Sequence, residues 1–167
     1  MHHAFQLYAH LTWHTWQRRG CLDQTAVEEF LVAARNATAV TGIRVLECAV
    51  LADHVHLLVS FRPTCVLSDF VRLVKSGSAF RANTRVPGAV RWGRGFYAAT
   101  VSKSQLRRVV SYIRDQHRHH PDLIPKQTRG SANPGRQPGV YKYTGAANTY
   151  TGAASTRAAA FNDPGSS

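Results

Sequence analysis

The sequence predicts an α+β domain built on one antiparallel sheet, with elements in the order β-α-β-β-α-β-α. Three observations carry this. Four short runs favour strand, with alternation or compact apolar character. Two stretches between them, and one after the last, carry apolar residues at three- and four-residue spacing. The separators hold caps and turn formers where those elements would begin and end.

Residues 5–13 alternate apolar with polar and read as the first strand. Asp23 is placed as the N-cap of a helix reaching about residue 40, with Val27, Phe30, Leu31 and Ala34 on one face and Gly42 just past its end. Residues 43–51 read as a second strand and 54–61 as a third, and the tight turn at Ala52-Asp53 makes them a hairpin. Leu67, Phe70, Val71 and Val74 form the buried stripe of a helix over 67–80. Residues 81–95, with Pro87, Gly88, Gly93 and Gly95, read as irregular, and 96–101 as a short fourth strand. Ser102 and Gln105 have capping-box spacing. They open a last helix with Leu106, Val109, Val110 and Ile113 inward, running to about residue 119 before Pro121. A sheet of this order with helices on one face is ferredoxin-like, and the last helix is an addition to that core.

A chain of 167 residues is one domain's worth, with room for a tail. Twenty-one Lys and Arg against nine Asp and Glu leave a formal charge of +12, which points to a polyanionic partner. An apolar fraction of 44% argues against a wholly disordered basic protein. No stretch approaches the ~20 apolar residues of a membrane span, so no membrane partner is expected. The N-terminus shows no basic segment followed by an apolar one. Cys21, Cys48 and Cys65 are widely spaced, with no Cys-x-x-Cys pair, and read as buried or idle thiols of a reducing cytoplasm.

Composition changes after Pro125. Turn formers dominate from there, and a seven-residue unit at 143–149 repeats at 150–156. The expected division is a folded domain over 1–125 and a flexible basic tail over 126–167. The tail holds Lys126, Arg129, Arg136, Lys142 and Arg157 against Asp163, so most of the net charge falls on the folded part.

The chemistry begins at Asp53-His54-Val55-His56-Leu57-Leu58-Val59. In a strand His54 and His56 share a face, with Cα atoms roughly 6–7 Å apart, close enough to chelate one divalent metal. Alternating histidines also mark the solvent face of a half-buried strand, and spacing alone leaves both readings open. Tyr112 and Gln116 lie one helical turn apart on the last helix. Tyr112 sits at the edge of the apolar stripe, with Arg107, Arg108, Arg114 and Arg118 around it in sequence. It reads either as an amphipathic core residue or as a phenolic nucleophile aimed at a phosphodiester. Gln116 could offer an amide oxygen to the metal of His54 and His56.

Other motifs fail. A third alternating histidine would fall at position 58, which is Leu58, and neither His54 nor His56 has Ser or Thr two residues on. No phosphate loop of the Gly-x-x-x-x-Gly-Lys-Ser/Thr type exists, so no nucleotide cofactor is expected. No paired-carboxylate motif suits a two-metal nuclease.

His54-Val55-His56 resembles the His-hydrophobic-His signature of HUH endonucleases, and its setting resembles the single-tyrosine transposases of the insertion-sequence 200/605 superfamily. The likeness continues in register. His10-Leu11-Thr12-Trp13-His14-Thr15-Trp16-Gln17-Arg18 resembles that family's first strand and basic turn. Arg72-Leu73-Val74-Lys75-Ser76 resembles its Leu-Lys-Gly/Ser helix, and Trp92-Gly93-Arg94-Gly95-Phe96 its entry to the fourth strand. Ser111-Tyr112-Ile113-Arg114-Asp115-Gln116-His117-Arg118-His119-His120 is similar to its tyrosine helix, with Asp115 where Asn is commoner.

The resemblance implies cleavage and rejoining of single-stranded DNA at hairpin-bearing ends, without ATP. Carried over by position, Tyr112 is the nucleophile that forms a 5′-phosphotyrosine link, and His54, His56 and Gln116 hold Mg²⁺ or Mn²⁺. Imidazole ligands favour Mn²⁺. The resemblance also implies a homodimer and a cytoplasmic, nucleoid-associated protein. Two alternatives stand beside this reading: a host-adapted relative acting on dispersed palindromic repeats, and a non-catalytic single-stranded DNA-binding protein of the same fold. Arg18, Arg19, Lys75, Arg81, Arg94 and Lys103 are the expected DNA contacts, joined by Arg85 and Arg91. Trp13, Trp16 and Trp92 either stack bases or pack in the core or a dimer interface. His117, His119 and His120 are expected at the helix C-terminus or on phosphate.

Overall fold

The computed structural model describes residues 6–128. Most of the expected tail, with its repeat, lies outside the described residues. Strands β1 (Leu7–His14), β2 (Arg44–Val50), β3 (His54–Phe61) and β4 (Tyr97–Thr100) form one sheet in the order β2-β3-β1-β4, and every pairing is antiparallel. The helices are α1 (Gln24–Thr41), α2 (Leu67–Arg85), α3 (Leu106–Arg114) and the single turn α4 (Gln116–His119). This is the ferredoxin-like α+β arrangement that the periodicity predicts.

The strand period of two sorts β1 and β3 into two faces. Ala9, Leu11 and Trp13 of β1, with Val55, Leu57 and Val59 of β3, join the core that α1 and α2 cover. The helix stripes fill that face with Val27, Phe30, Leu31, Phe70, Val71 and Val74, all buried. The helices cross closely, because a Cβ on Gly77 would stand 3.3 Å from Ala33 Cβ. On the opposite face Leu58, Ala49, Leu51 and Val101 meet Ile113, with Leu106, Val109 and Val110 of α3 at the margin. The added helix therefore covers the second face, and β3 is buried on both sides.

The expected stops largely hold. Asp23 accepts a hydrogen bond from the Ala26 N–H at 2.9 Å, and Gly42 ends α1 at φ 71°. Two differences are physical. Helix α2 runs to Arg85 rather than residue 80, and Ala82 on its continuation is buried while Arg81 and Arg85 pair with buried Glu29. It stops where Pro87 bars Val86 from helical geometry. The last helix is interrupted at Asp115 (φ −84°, ψ 0°), so Tyr112 and Gln116 lie on either side of a break.

Trp13 is core, 1% exposed and tilted against Phe30. Trp92 packs on the same pair and donates its indole N–H to Ser78 Oγ at 2.9 Å. Trp16 lies under the Arg91 guanidinium, 4.2 Å from the ring centre. Cys21, Cys48 and Cys65 are free thiols, and burial, then the Glu47 carboxylate, pushes the Cys48 thiol up. No helix among the described residues is long and apolar enough to cross a membrane.

Candidate metal and tyrosine site

The β2–β3 turn sets the first ligand candidate. Leu51 N–H bonds to the His54 carbonyl at 2.8 Å, closing the hairpin. Neighbouring segments pin the same turn: Thr15 N–H to Asp53 O at 2.8 Å, Leu22 N–H to Ala52 O at 2.9 Å, and Ala52 N–H to Leu123 O at 2.7 Å. β3 thus leaves a fixed corner, with His54 and His56 on the face toward α3 and their ring centres 5.0 Å apart.

Both rings are 7% exposed, so the solvent-face reading of the alternation does not hold. Each has its Nδ1 engaged. The Asp53 carboxylate is 2.5 Å from His54 Nδ1, and a carboxylate only accepts, so Nδ1 carries a proton and the neutral tautomer this contact selects has its lone pair on Nε2. His56 Nδ1 lies 3.0 Å from His10 Nε2.

The last helix brings the other two residues. The Tyr112 ring stands edge-on to His56 and to His10, each at 5.9 Å between centres. It is 48% exposed. Past the break, the His120 ring stands edge-on to His54 at 5.8 Å. Gln116 lies between these two contacts in sequence and is 1% exposed. Its amide nitrogen donates to the Tyr112 carbonyl at 3.2 Å, which turns Oε1 away, and Oε1 is buried with no partner.

An orphaned buried amide oxygen and two buried imidazoles, each with its Nδ1 engaged, make a donor set that fits a divalent cation. It leaves coordination positions for oxygen ligands from outside the chain. Among the described residues no three His, Cys, Asp or Glu side chains group as a metal cage.

Electrostatics keep the His56 imidazole neutral. Burial chiefly, then the charges that His54, His10, His120 and His14 would carry, holds His56 down to about 3. Burial also lowers His10. His14 is lowered by burial first, then by Arg18 and His54, with Asp53 opposing. The unfolded chain protonates His56 below about pH 6.5 and the folded chain only near 3, so the unfolded state binds more protons in that window. Stability is full above that window and is lost as pH falls through it. Without metal, acidification from pH 7 to 5 should cost about 2 kcal/mol through this residue. Urea melts in chelator at both pH values check this, and His56→Gln should flatten the dependence. An equally steep loss in His56→Gln would place the effect elsewhere.

The expected DNA contacts divide into two sets. Arg18, Arg19, Arg94 and Lys103 are exposed. Arg18 follows Gln17 in the left-handed region (φ 53° and 54°), a strained turn set against the end of β1. Lys75 and Arg81 are engaged within the fold. The Lys75 ammonium donates to the Gly93 carbonyl at 2.6 Å and the Gly95 carbonyl at 3.0 Å, and burial lowers its pKa. Arg81 pairs with Glu29 at 2.5 Å. His117 donates to the Val50 carbonyl at 3.1 Å, while His119 and His120 are exposed. Composition and spacing gave no role to His10, His14 or Asp53. The available signal was the period-two run His10-Thr12-His14 on a strand antiparallel to β3.

Residues 3–116 match the family model for IS200-like transposases. The ISDra2 transposase TnpA of Deinococcus radiodurans is 30% identical over 122 residues, 69% of this chain and 87% of that protein. A crystal structure described as that of a transposase from Deinococcus radiodurans R1 superposes with a TM-score of 0.54 at 27% identity, covering 70% of this chain and 95% of that one. A REP-associated tyrosine transposase bound to a REP hairpin has the same fold, with a TM-score of 0.58 at 15% identity, covering 72% of this chain and 71% of that one.

Proposed function

The chain belongs to the IS200-like transposase family, and on that premise we propose that it cuts and rejoins single-stranded DNA at hairpin-bearing ends, with Tyr112 as nucleophile. The observation that supports this best is the meeting of a half-exposed Tyr112 with His56 at 5.9 Å, one turn from the buried, unpartnered Gln116 oxygen. Tyr112 oxygen attacks the scissile phosphorus. An O–P bond forms to tyrosine as the phenol gives up its proton to solvent, the bond to the 3′ oxygen breaks, and that oxygen takes up a proton from solvent as a 3′-hydroxyl. The phosphodiester's energy is kept in the 5′-phosphotyrosine, so a second 3′-hydroxyl reverses the step without ATP.

His54, His56 and Gln116 would hold Mg²⁺ or Mn²⁺, which when bound polarises the phosphate and steadies the leaving oxygen. Asp53 keeps the His54 proton on Nδ1. Arg18, Arg19, Arg94 and Lys103 contact the DNA backbone, and Lys75 and Arg81 hold the loop and helix beside them. Among the described residues β4 is an edge strand of the sheet, with Phe96 and Tyr97 exposed, which suits pairing with a second copy.

The test is a trapped adduct. Labelled single-stranded hairpin DNA, protein and Mn²⁺ are mixed and denatured. A DNA-linked band should form, vanish with chelator, and map by mass spectrometry to the peptide holding Tyr112. Tight DNA binding with no adduct across a broad set of end sequences would leave the non-catalytic binding protein standing instead.

A further inference from the structure

We infer that His10 is a positioning residue for His56, the acceptor that leaves His56 Nε2 free to ligate. The inference rests on the reading that His54, His56 and Gln116 hold a divalent cation. In the β1–β3 register His10 stands opposite Leu58, diagonal to His56, within reach of a ring though not of a short side chain. Its Nε2 lies 3.0 Å from His56 Nδ1. One proton occupies that contact. If His56 Nδ1–H donates, His56 Nε2 keeps its lone pair for a cation. If His10 donates, neutral His56 must carry its own proton on Nε2, and the ligand is blocked.

The other ligand makes the comparison. His54 Nδ1 faces Asp53 at 2.5 Å, an acceptor supplied by its chain neighbour. The residue preceding His56 is Val55, buried in the opposite core. His56 therefore takes its acceptor from β1, and a neutral imidazole serves without adding a second buried carboxylate. His10 also meets the Tyr112 ring edge-on, so it fixes one ring of the wall against which the tyrosine stands. Orienting partners of this kind are worth about 10–100-fold in metal affinity.

The experiment is Mn²⁺ titration of the full chain, read by loss of the free-ion EPR signal. His10→Phe should weaken Mn²⁺ binding by about 10–100-fold. His10→Gln, whose amide oxygen can replace Nε2 as acceptor, should stay within about threefold of wild type. Melting in chelator shows whether each variant folds. Long-range ¹H–¹⁵N NMR on Mg²⁺-loaded wild type needs no variant, and should show the proton on His56 Nδ1 with His10 Nε2 bare. Unchanged Mn²⁺ affinity in folded His10→Phe, equal loss in folded His10→Gln, or a proton on His10 Nε2 would each overturn the role of His10. His56→Ala separates the premise: retention of wild-type Mn²⁺ affinity there would refute the metal site itself.

Discussion

Tyr112→Phe should lower single-turnover strand cleavage by roughly 10⁴–10⁶-fold, the cost of removing a nucleophile. Hairpin affinity and melting temperature should hardly move. The substitution deletes one oxygen. Its ring packs edge-on to His10 and His56, and phenylalanine keeps that contact. The hydroxyl makes no hydrogen bond among the described residues, so nothing in the fold loses a partner. A surface change of this kind stays within about 0.5 kcal/mol. The measurement is cleavage of labelled hairpin DNA with Mn²⁺, beside a binding isotherm. Turnover within tenfold of wild type would sink the assignment. Tyr97 would then be the next residue to test. It is exposed on β4 and opposite Thr12, which itself pairs with His56.

The candidate metal and tyrosine residues are legible in the sequence because local periods place them. Period two puts His54 and His56 on one face, and a four-residue step brings Gln116 near Tyr112. The caps Asp23 and Gly42 act within one turn of chain, so they too could be read. What was not legible depends on register between distant strands. Nothing in residues 6–14 alone says that His10 will stand diagonal to His56, or that His14 will face His54. The same holds for Lys75 and Arg81. Sequence shows two cations, while the fold supplies the Gly93 and Gly95 carbonyls and the Glu29 carboxylate that engage them. The break at Asp115 is not legible in sequence because residues 106–119 keep a helical pattern throughout, and the interruption shows only in the backbone.

Arg114→Ala should destabilise the chain by about 3 kcal/mol, more than Glu47→Gln, although the arginine is the more exposed partner. Glu47 belongs to β2, where the pairing shifts register between Val45 and Glu47. That bulge lets Val45 face the α1/α2 core while Glu47 still faces α3. The Glu47 side chain is 3% exposed, and Arg114 Nε meets it at 2.7 Å from a side chain 56% exposed. Removing the arginine leaves a buried carboxylate with the Cys48 N–H at 3.3 Å as its remaining partner. Removing the carboxylate charge leaves an arginine that can turn to water. The asymmetry follows from burial. A melting temperature lower by about 10 °C in Arg114→Ala is the expected reading. Because Arg114 sits two residues from Tyr112, cleavage should fall with it, and Arg114→Met with Glu47→Leu should recover most of the stability by removing both charges. An Arg114→Ala chain that melts with wild type would show that the ion pair does not hold the tyrosine helix to the sheet.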